Sequence, residues 1–338
     1  MKEFVLASNI LLSNVKRLNL PYKLTFPVTD LCNSRCTTCN IWKKKPKNEL
    51  TLREIQHFFK QNNQFVWIDI SGGEPFLRPD IVEVSKAIIK NCKNLYMFHL
   101  PTNGLLPNLI VKRIAQIARL KPKKFVISVS LDGPPKLYKQ IRGVEGFDKA
   151  LETYQRIKRI PGVETFLGMT LSTQNYNQID ETFAAVKKRI PNFKYKDLHI
   201  NIYHTSEHYY GNSEDNFPKA EVLRELKRFA KRKGSAYLNP IMFLEHKYLQ
   251  NVKTYFATDK TPMPCQALNA SVFLDAKGDV YPCSMYNLRL GNIREKSLKQ
   301  IWKESKKIRN DIHKGKCTQC WTPCEAYQTM FGNLIKLL

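Results

Sequence analysis

Apolar residues along this chain fall into two rhythms that take turns. Short runs rich in β-branched and aromatic residues are followed by longer stretches with apolar positions three or four apart. The short runs predict strands over Lys23–Thr29, Phe65–Ile70, Leu95–Leu100, Lys124–Leu131, Glu164–Leu171 and Asp197–Tyr203. The longer stretches predict helices over Leu52–Gln61, Pro79–Lys90, Pro107–Leu120, Gly146–Ile160 and Gln178–Arg189. Such β/α repetition predicts an α/β fold with a parallel sheet and right-handed crossovers. The rhythm changes at Gly211–Pro218, which reads as a linker. Two helical patterns follow, then a hairpin between Cys265 and Cys283 that turns at Lys277-Gly278, then a helix over Leu298–Ile312. Both ends, Phe4–Leu18 and Tyr327–Leu338, are amphipathic.

The length of 338 residues suggests about two domains, and the 43% hydrophobic content suits a globular core. No apolar run is long enough to span a bilayer. The N-terminal stretch lacks a continuous apolar core and a small-residue cleavage site, so it reads as a helix rather than a signal peptide, and a cytoplasmic location is expected. The formal charge of +26 is large, with clusters at Lys43–Lys47, Lys187–Arg189 and Lys227–Lys233. A solvated Lys-rich surface accounts for it, as does an anionic partner such as lipid or a phosphorylated substrate. No nucleic-acid motif accompanies the charge, so no nucleic acid is expected.

The densest chemical signal is Cys32-Asn-Ser-Arg-Cys36-Thr-Thr-Cys39, directly after the first strand. Three thiolates in one loop suit three irons of a [4Fe–4S] cube and leave the fourth iron open to a small molecule. Zinc normally takes four ligands, and no further Cys or His stands nearby. A disulfide does not fit three thiols in a chain without an export signal. C-x3-C-x2-C at this place resembles the signature of the radical S-adenosylmethionine (SAM) enzymes. The resemblance implies an open (β/α)6 partial TIM barrel with function at the C-terminal ends of the strands. It also implies a SAM-binding [4Fe–4S] cluster whose open iron chelates SAM. One electron then splits SAM to a 5′-deoxyadenosyl radical that takes hydrogen from a C–H bond. A reducing donor such as ferredoxin or flavodoxin is implied as well.

Four further segments resemble that family's SAM contacts. Gly72, Gly73, Glu74 and Pro75 end the second strand, and Glu74 with the glycine backbone is expected to bond the SAM ammonium group. Thr102 and Asn103 end the third strand and are expected beside SAM. Ser128, Ser130 and Asp132 alternate along the fourth strand, on one face, in reach of the ribose or the methionine end. Arg142, in Ile-Arg-Gly, is expected to pair with the SAM carboxylate. One departure is Thr38, where relatives often carry an aromatic residue or His before the third cysteine. Trp42 reads equally as packing of the loop or as a shield for the cluster. Cys92, alone on a helix, reads as a buried structural thiol.

A second cysteine group comprises Cys265 and Cys283, framing Gly278, and Cys317, Cys320 and Cys324. It resembles the SPASM extension in its shorter twitch form, which implies one auxiliary [4Fe–4S] cluster on Cys265, Cys283, Cys317 and Cys320. Cys324 is then a spare or a replacement ligand. A zinc ribbon competes, because four thiolates suit zinc equally well. Taken together these readings divide the chain into a core at 1–210, a helical linker region at 211–264 and an auxiliary-cluster domain at 265–338.

The expected function is oxidoreductase chemistry on a substrate C–H bond, with the auxiliary cluster oxidising the substrate or relaying electrons. A peptide or protein substrate comes first, since relatives with this extension mature peptides. No separate leader-binding domain is read before the barrel, which weighs against a peptide. The alternative substrate is an anionic small molecule: a nucleotide sugar, a phosphorylated metabolite or a phospholipid. The amphipathic ends read as helices capping the barrel, with peripheral membrane contact as the alternative. A reading of a different class is a zinc-bearing nucleic-acid-binding protein.

Overall fold

The structure, a computed structural model, describes residues 1–213, 216–234, 240–317 and 320–337. The linker expected over Gly211–Pro218 and the Tyr327–Leu338 stretch fall partly outside them, and the spacer between Cys317 and Cys320 lies wholly outside. After helix α1 (Lys2–Val15), strands and helices alternate as β1 (Lys23–Pro27), α2 (Leu52–Gln61), β2 (Trp67–Ser71), α3 (Ile81–Asn91), β3 (Met97–Thr102), α4 (Pro107–Ala118) and β4 (Lys124–Ser130). Two helices, α5 (Pro135–Arg142) and α6 (Phe147–Ile157), then lead to β5 (Val163–Leu171), α7 (Ile179–Arg189) and β6 (Leu198–Ile202). All six strands are parallel, in the order of a partial barrel. The helix α5 was not anticipated; it begins on Pro135 and ends on Gly143 in a left-handed conformation, a Pro-start and Gly-stop arrangement favourable to a helix of any length.

The second part comprises α8 (Lys219–Lys233), α9 (Pro240–Thr258), β7 (Ser271–Leu274), β8 (Asp279–Tyr281), β9 (Gly291–Asn292), α10 (Leu298–Glu304), α11 (Lys306–His313), α12 (Pro323–Phe331) and α13 (Leu334–Leu337). The expected hairpin is β7–β8, tightened by Asp275, whose carboxylate accepts from the Lys277 and Asp279 amides. The single helix expected over Leu298–Ile312 is two, broken at buried Ser305, whose hydroxyl and amide both turn back to the Ile301 carbonyl. Strand β7 pairs in parallel with β1, so the hairpin extends the barrel sheet to nine strands. One apolar core joins barrel residues such as Leu24 and Phe98 to Val272, Trp302 and Trp321.

The sheet has two unlike faces. Ile68, Ile70, Phe98, Leu100, Ile127, Val129, Leu167, Met169 and Ile200 are buried under the helices. The alternate positions, Asp69, Ser71, His99, Ser128, Ser130, Thr170, His199 and Asn201, are half-buried and line the hollow. Parallel strands are usually apolar on both faces; here one face serves packing and the other faces a lumen.

Lys23 opens β1 and is wholly buried. Its ammonium lies 3.0 Å from the Asp69 carboxylate and 3.0 Å from the Gln328 side-chain oxygen, and it also reaches the Cys324 carbonyl. Burial lowers its pKa, but Asp69 and Glu325 outweigh that and hold it above the usual lysine value. Asp69 is likewise held below the usual carboxylate range, because Lys23 and His99 outweigh its burial. This pair ties β1 and β2 to α12. Lys23→Met would leave buried carboxylates without a counter-charge and is expected to cost about 3 kcal/mol in urea unfolding. Lys23→Met combined with Asp69→Asn should recover part of that loss; equal loss in both variants would contradict the pairing.

Candidate active site

The cysteine loop follows β1 and is held by backbone contacts on two sides. From β2 the amides of Gly73 and Glu74 donate to the carbonyls of Thr29 and Leu31, both at 2.8 Å. From the end of α5 the carbonyls of Arg142 and Ile141 accept from the amides of Arg35 (2.9 Å) and Thr37 (2.8 Å). These approaches need glycine. A Cβ on Gly73 would stand 2.4 Å from the Leu31 carbonyl oxygen, and one on Gly143 would stand 2.4 Å from that of Arg35. Gly72 meets Thr29 in the same way.

Within the loop Cys32, Cys36 and Cys39 influence one another electrostatically and have no disulfide. Burial pushes the thiol of Cys32 up to about 11 and that of Cys39 up to about 12, and raises Cys36. Buried thiols of this kind ionise when iron supplies the positive charge. Ser34 Oγ and Arg142 Nε are buried beside them without hydrogen-bond partners, which buried polar groups rarely lack. Soft thiolates and unpaired donors fit an iron–sulfur cluster, whose sulfides accept hydrogen bonds. Among the described residues no three His, Cys, Asp or Glu side chains close on a single ion; thiolates that bind different irons of a cube stand farther apart than the ligands of one zinc.

Glu74 and Arg142 make contacts within the chain. Glu74 is fully buried and its carboxylate accepts from Thr102 Oγ1 (3.0 Å), the Asn103 amide (2.6 Å) and the Phe76 amide (3.1 Å). It joins the β2 and β3 loops. Arg142 spends its fork within the chain: one nitrogen lies 2.7 Å from Asp132 and another 3.8 Å from Cys36 Sγ. Asp132 also accepts from the Thr170 amide at 2.8 Å. Asn103 reaches the cysteine loop through Asn33 Oδ1 at 2.7 Å. Pro75 is buried at the start of a short turn. Ser128 and Ser130 face the lumen. Trp42 packs on the loop, its indole N–H donating to the Cys36 carbonyl at 3.3 Å. Cys92 is buried, near the Asn62 carbonyl.

The lumen holds residues that motif reading missed. His99 Nδ1 lies 3.4 Å from Asp69, and His99 Nε2 lies 2.9 Å from Ser128 Oγ, a hydrogen-bonded chain across β2, β3 and β4. Farther round, His199 stacks on Phe166 with ring centroids 3.8 Å apart. Burial holds His199 well below the usual histidine value, so it is neutral. Period-two alternation in Trp-Ile-Asp-Ile-Ser and Met-Phe-His-Leu-Pro-Thr carried the signal for these positions. Tyr209 and Tyr210 follow β6; the Tyr209 hydroxyl pairs with Ser71 Oγ at 2.7 Å. Both rings pack in one cluster with Cys39, Ile41 and Phe273, and burial raises both phenols.

In the second cysteine group, Cys265 responds to Cys317 and Cys320, and Cys283 responds to Cys320 and Cys265. Burial raises the Cys324 thiol against the charge of Lys23, and Cys320 responds to Cys324 as well as to Cys317. Backbone amides donate to sulfur: Ala267 to Cys265 at 3.4 Å, and Met285 and Tyr286 to Cys283 at 3.4 and 3.3 Å. Such bonds stabilise thiolates and tune cluster potential. Ser284 Oγ is buried there without a partner.

Residues 26–186 match the Radical SAM superfamily, and residues 265–325 match an iron–sulfur cluster-binding domain, SPASM. The latter replaces the zinc reading of the second cysteine group. The chain is 26% identical over 334 residues to the AdoMet-dependent heme synthase of Methanosarcina barkeri, covering 89% of each. It is 25% identical over 316 residues to the mycofactocin maturase MftC of Mycolicibacterium smegmatis, covering 90% of this chain and 76% of that one. SuiB of Streptococcus suis, solved with its precursor peptide SuiA, superposes with a TM-score of 0.62 at 17% identity, over 97% of this chain and 75% of that one. The anSMEcpe structure with bound AdoMet superposes with a TM-score of 0.60 at 17% identity, over 94% and 98%. At these identities the superpositions show the shared fold.

Burial raises the Glu74 carboxyl from 4.5 to about 7, against its hydrogen bonds and the charge of Arg142. Between those values the folded chain holds a proton that the unfolded chain has released, so this group's contribution to stability falls as pH rises through the window. In the iron-free chain, Glu74→Gln is expected to flatten that decline by on the order of 2 kcal/mol between about pH 5 and about pH 7. Urea midpoints across the window measure it; parallel slopes in both chains would contradict it.

Proposed function

Because this chain belongs to the radical SAM superfamily and carries an iron–sulfur SPASM extension, we propose that it oxidises a peptide substrate bound in the lumen between its two cysteine groups. It is an iron–sulfur enzyme with SAM, a SAM-binding [4Fe–4S] cluster and an auxiliary iron–sulfur cluster as cofactors. Cys32, Cys36 and Cys39 hold the first cluster, and Cys265, Cys283, Cys317 and Cys320 hold the second. When bound, the first cluster supplies the electron that turns SAM into a source of hydrogen-abstracting radical. The Gly72–Gly73 backbone, Thr102, Asn103 and Ser130 shape the SAM pocket. Asp132 orients Arg142 against the Cys36 sulfur. Asp69, His99 and Ser128 line the substrate side, where His99 is placed to exchange a proton with substrate. A reducing donor such as ferredoxin or flavodoxin supplies electrons from outside.

The observation that carries this reading is the parallel pairing of β7 with β1, which sets the hairpin leading to Cys283 beside the strand leading into the cysteine loop. A substrate in the lumen there has SAM chemistry and an electron acceptor within one sheet. The 25% identity to a maturase over 90% of the chain supports a peptide. SuiB, on this fold, binds a precursor peptide. The +26 charge and the 26% identity to a heme synthase favour the second reading, an anionic non-peptide substrate.

Comparison of peptides and metabolites from cells with and without the chain decides between them. A peptide of altered mass that appears only with the chain is expected; a difference confined to small anionic metabolites would overturn the peptide reading. Anaerobically reconstituted protein should hold roughly eight irons per chain, four for each cubane. Cys36→Ala should abolish 5′-deoxyadenosine formation from SAM and dithionite, and retained formation would contradict the site. Cys283→Ala should lose about four irons and keep SAM cleavage; loss of cleavage would instead join the two clusters in one step.

A further inference from the structure

Helix α1 is apolar on two opposite faces. Val5, Leu6 and Ile10 pack against Leu18, Tyr22, Val66 and Ala270, beneath the N-terminal ends of the strands. The other face carries Phe4, Leu11 and Val15, exposed to 78%, 59% and 80%, with Met1 and Leu12 beside them. These positions recur at helical spacing over four turns. Ile335, 94% exposed, lies on α13, which is tied to α1 where the Leu334 amide donates to Asn14 Oδ1 at 2.8 Å. Scattered exposed apolar residues are ordinary; a continuous stripe marks a contact surface.

Charge identifies what covers it. At the C-terminal end of α1 follow Lys16 and Arg17, and α13 carries Lys336. The acidic residue of the helix, Glu3, is already paired with Lys123 at 2.9 Å. A second copy of the chain would bring these cations face to face, at +26 on each copy. An apolar stripe edged by cations suits an anionic bilayer surface, with the side chains in the acyl boundary and the cations among the headgroups. No described helix is long and apolar enough to cross a membrane, so the contact is interfacial. The stripe lies at the opposite end of the barrel from the cysteine loop, which leaves the site open.

We propose that α1 and Ile335 dock this protein on an anionic lipid surface. The test is flotation of the full chain with vesicles of phosphatidylcholine alone and of phosphatidylcholine mixed with phosphatidylglycerol. Binding to the acidic vesicles and its loss in high salt are expected. Leu11→Ser combined with Val15→Ser should weaken binding by at least about tenfold, with an unchanged thermal unfolding midpoint. Phe4→Trp should show blue-shifted emission on acidic vesicles. No binding to acidic vesicles, equal binding to neutral ones, or a dimeric mass by light scattering that the Ser variants abolish would each overturn the proposal. These readouts need neither iron nor SAM, so they stand apart from the catalytic reading.

Discussion

The site depends on backbone meeting backbone around the cysteine loop. Thr29, Leu31 and Arg35 touch the β2 loop and the end of α5 at distances that leave no room for a Cβ on Gly72, Gly73 or Gly143. The hydrogen bonds across these contacts hold the loop through its peptide groups. Behind them, Glu74 fastens the β2 loop to Thr102 and Asn103, and Asn103 returns to Asn33. The motif residues therefore form one frame in which each loop limits the movement of the next.

The sheet beneath has a matching division of labour. One face buries aliphatic side chains under the helices, and the other turns Asp69, His99, Ser128 and His199 into a hollow. Extension of the sheet by β7 brings the second cysteine group beside β1. The buried ammonium of Lys23, with Asp69 and Glu325 beside it, then joins α12 to the barrel floor. Isolated buried charges are costly, but paired and hydrogen-bonded ones restrict the ways two parts can fit together.

Much of this was legible in the order of residues. The barrel strands announced themselves through short β-rich runs, and the cysteine spacings pointed to both iron–sulfur groups before any fold was known. Direction was not legible. A motif names Glu74 and Arg142 but does not say that one carboxylate is buried under Thr102 or that the guanidinium is taken by Asp132. Long-range pairing was also hidden: nothing local in Ser271–Leu274 says that it will lie beside Lys23–Thr25. The break at Ser305 escaped because the apolar spacing runs on through it, and only the side chain's return to Ile301 ends the helix. The lumen histidines were missed through attention to motifs, although strand alternation exposed them.

The central claim is that the framed cysteine loop carries a cluster with one iron open to SAM. Electron paramagnetic resonance of dithionite-reduced Cys283→Ala protein tests it most directly, since only the first cluster should then contribute. A [4Fe–4S] signal whose shape changes when SAM is added is expected. A signal that SAM leaves unaltered would contradict it.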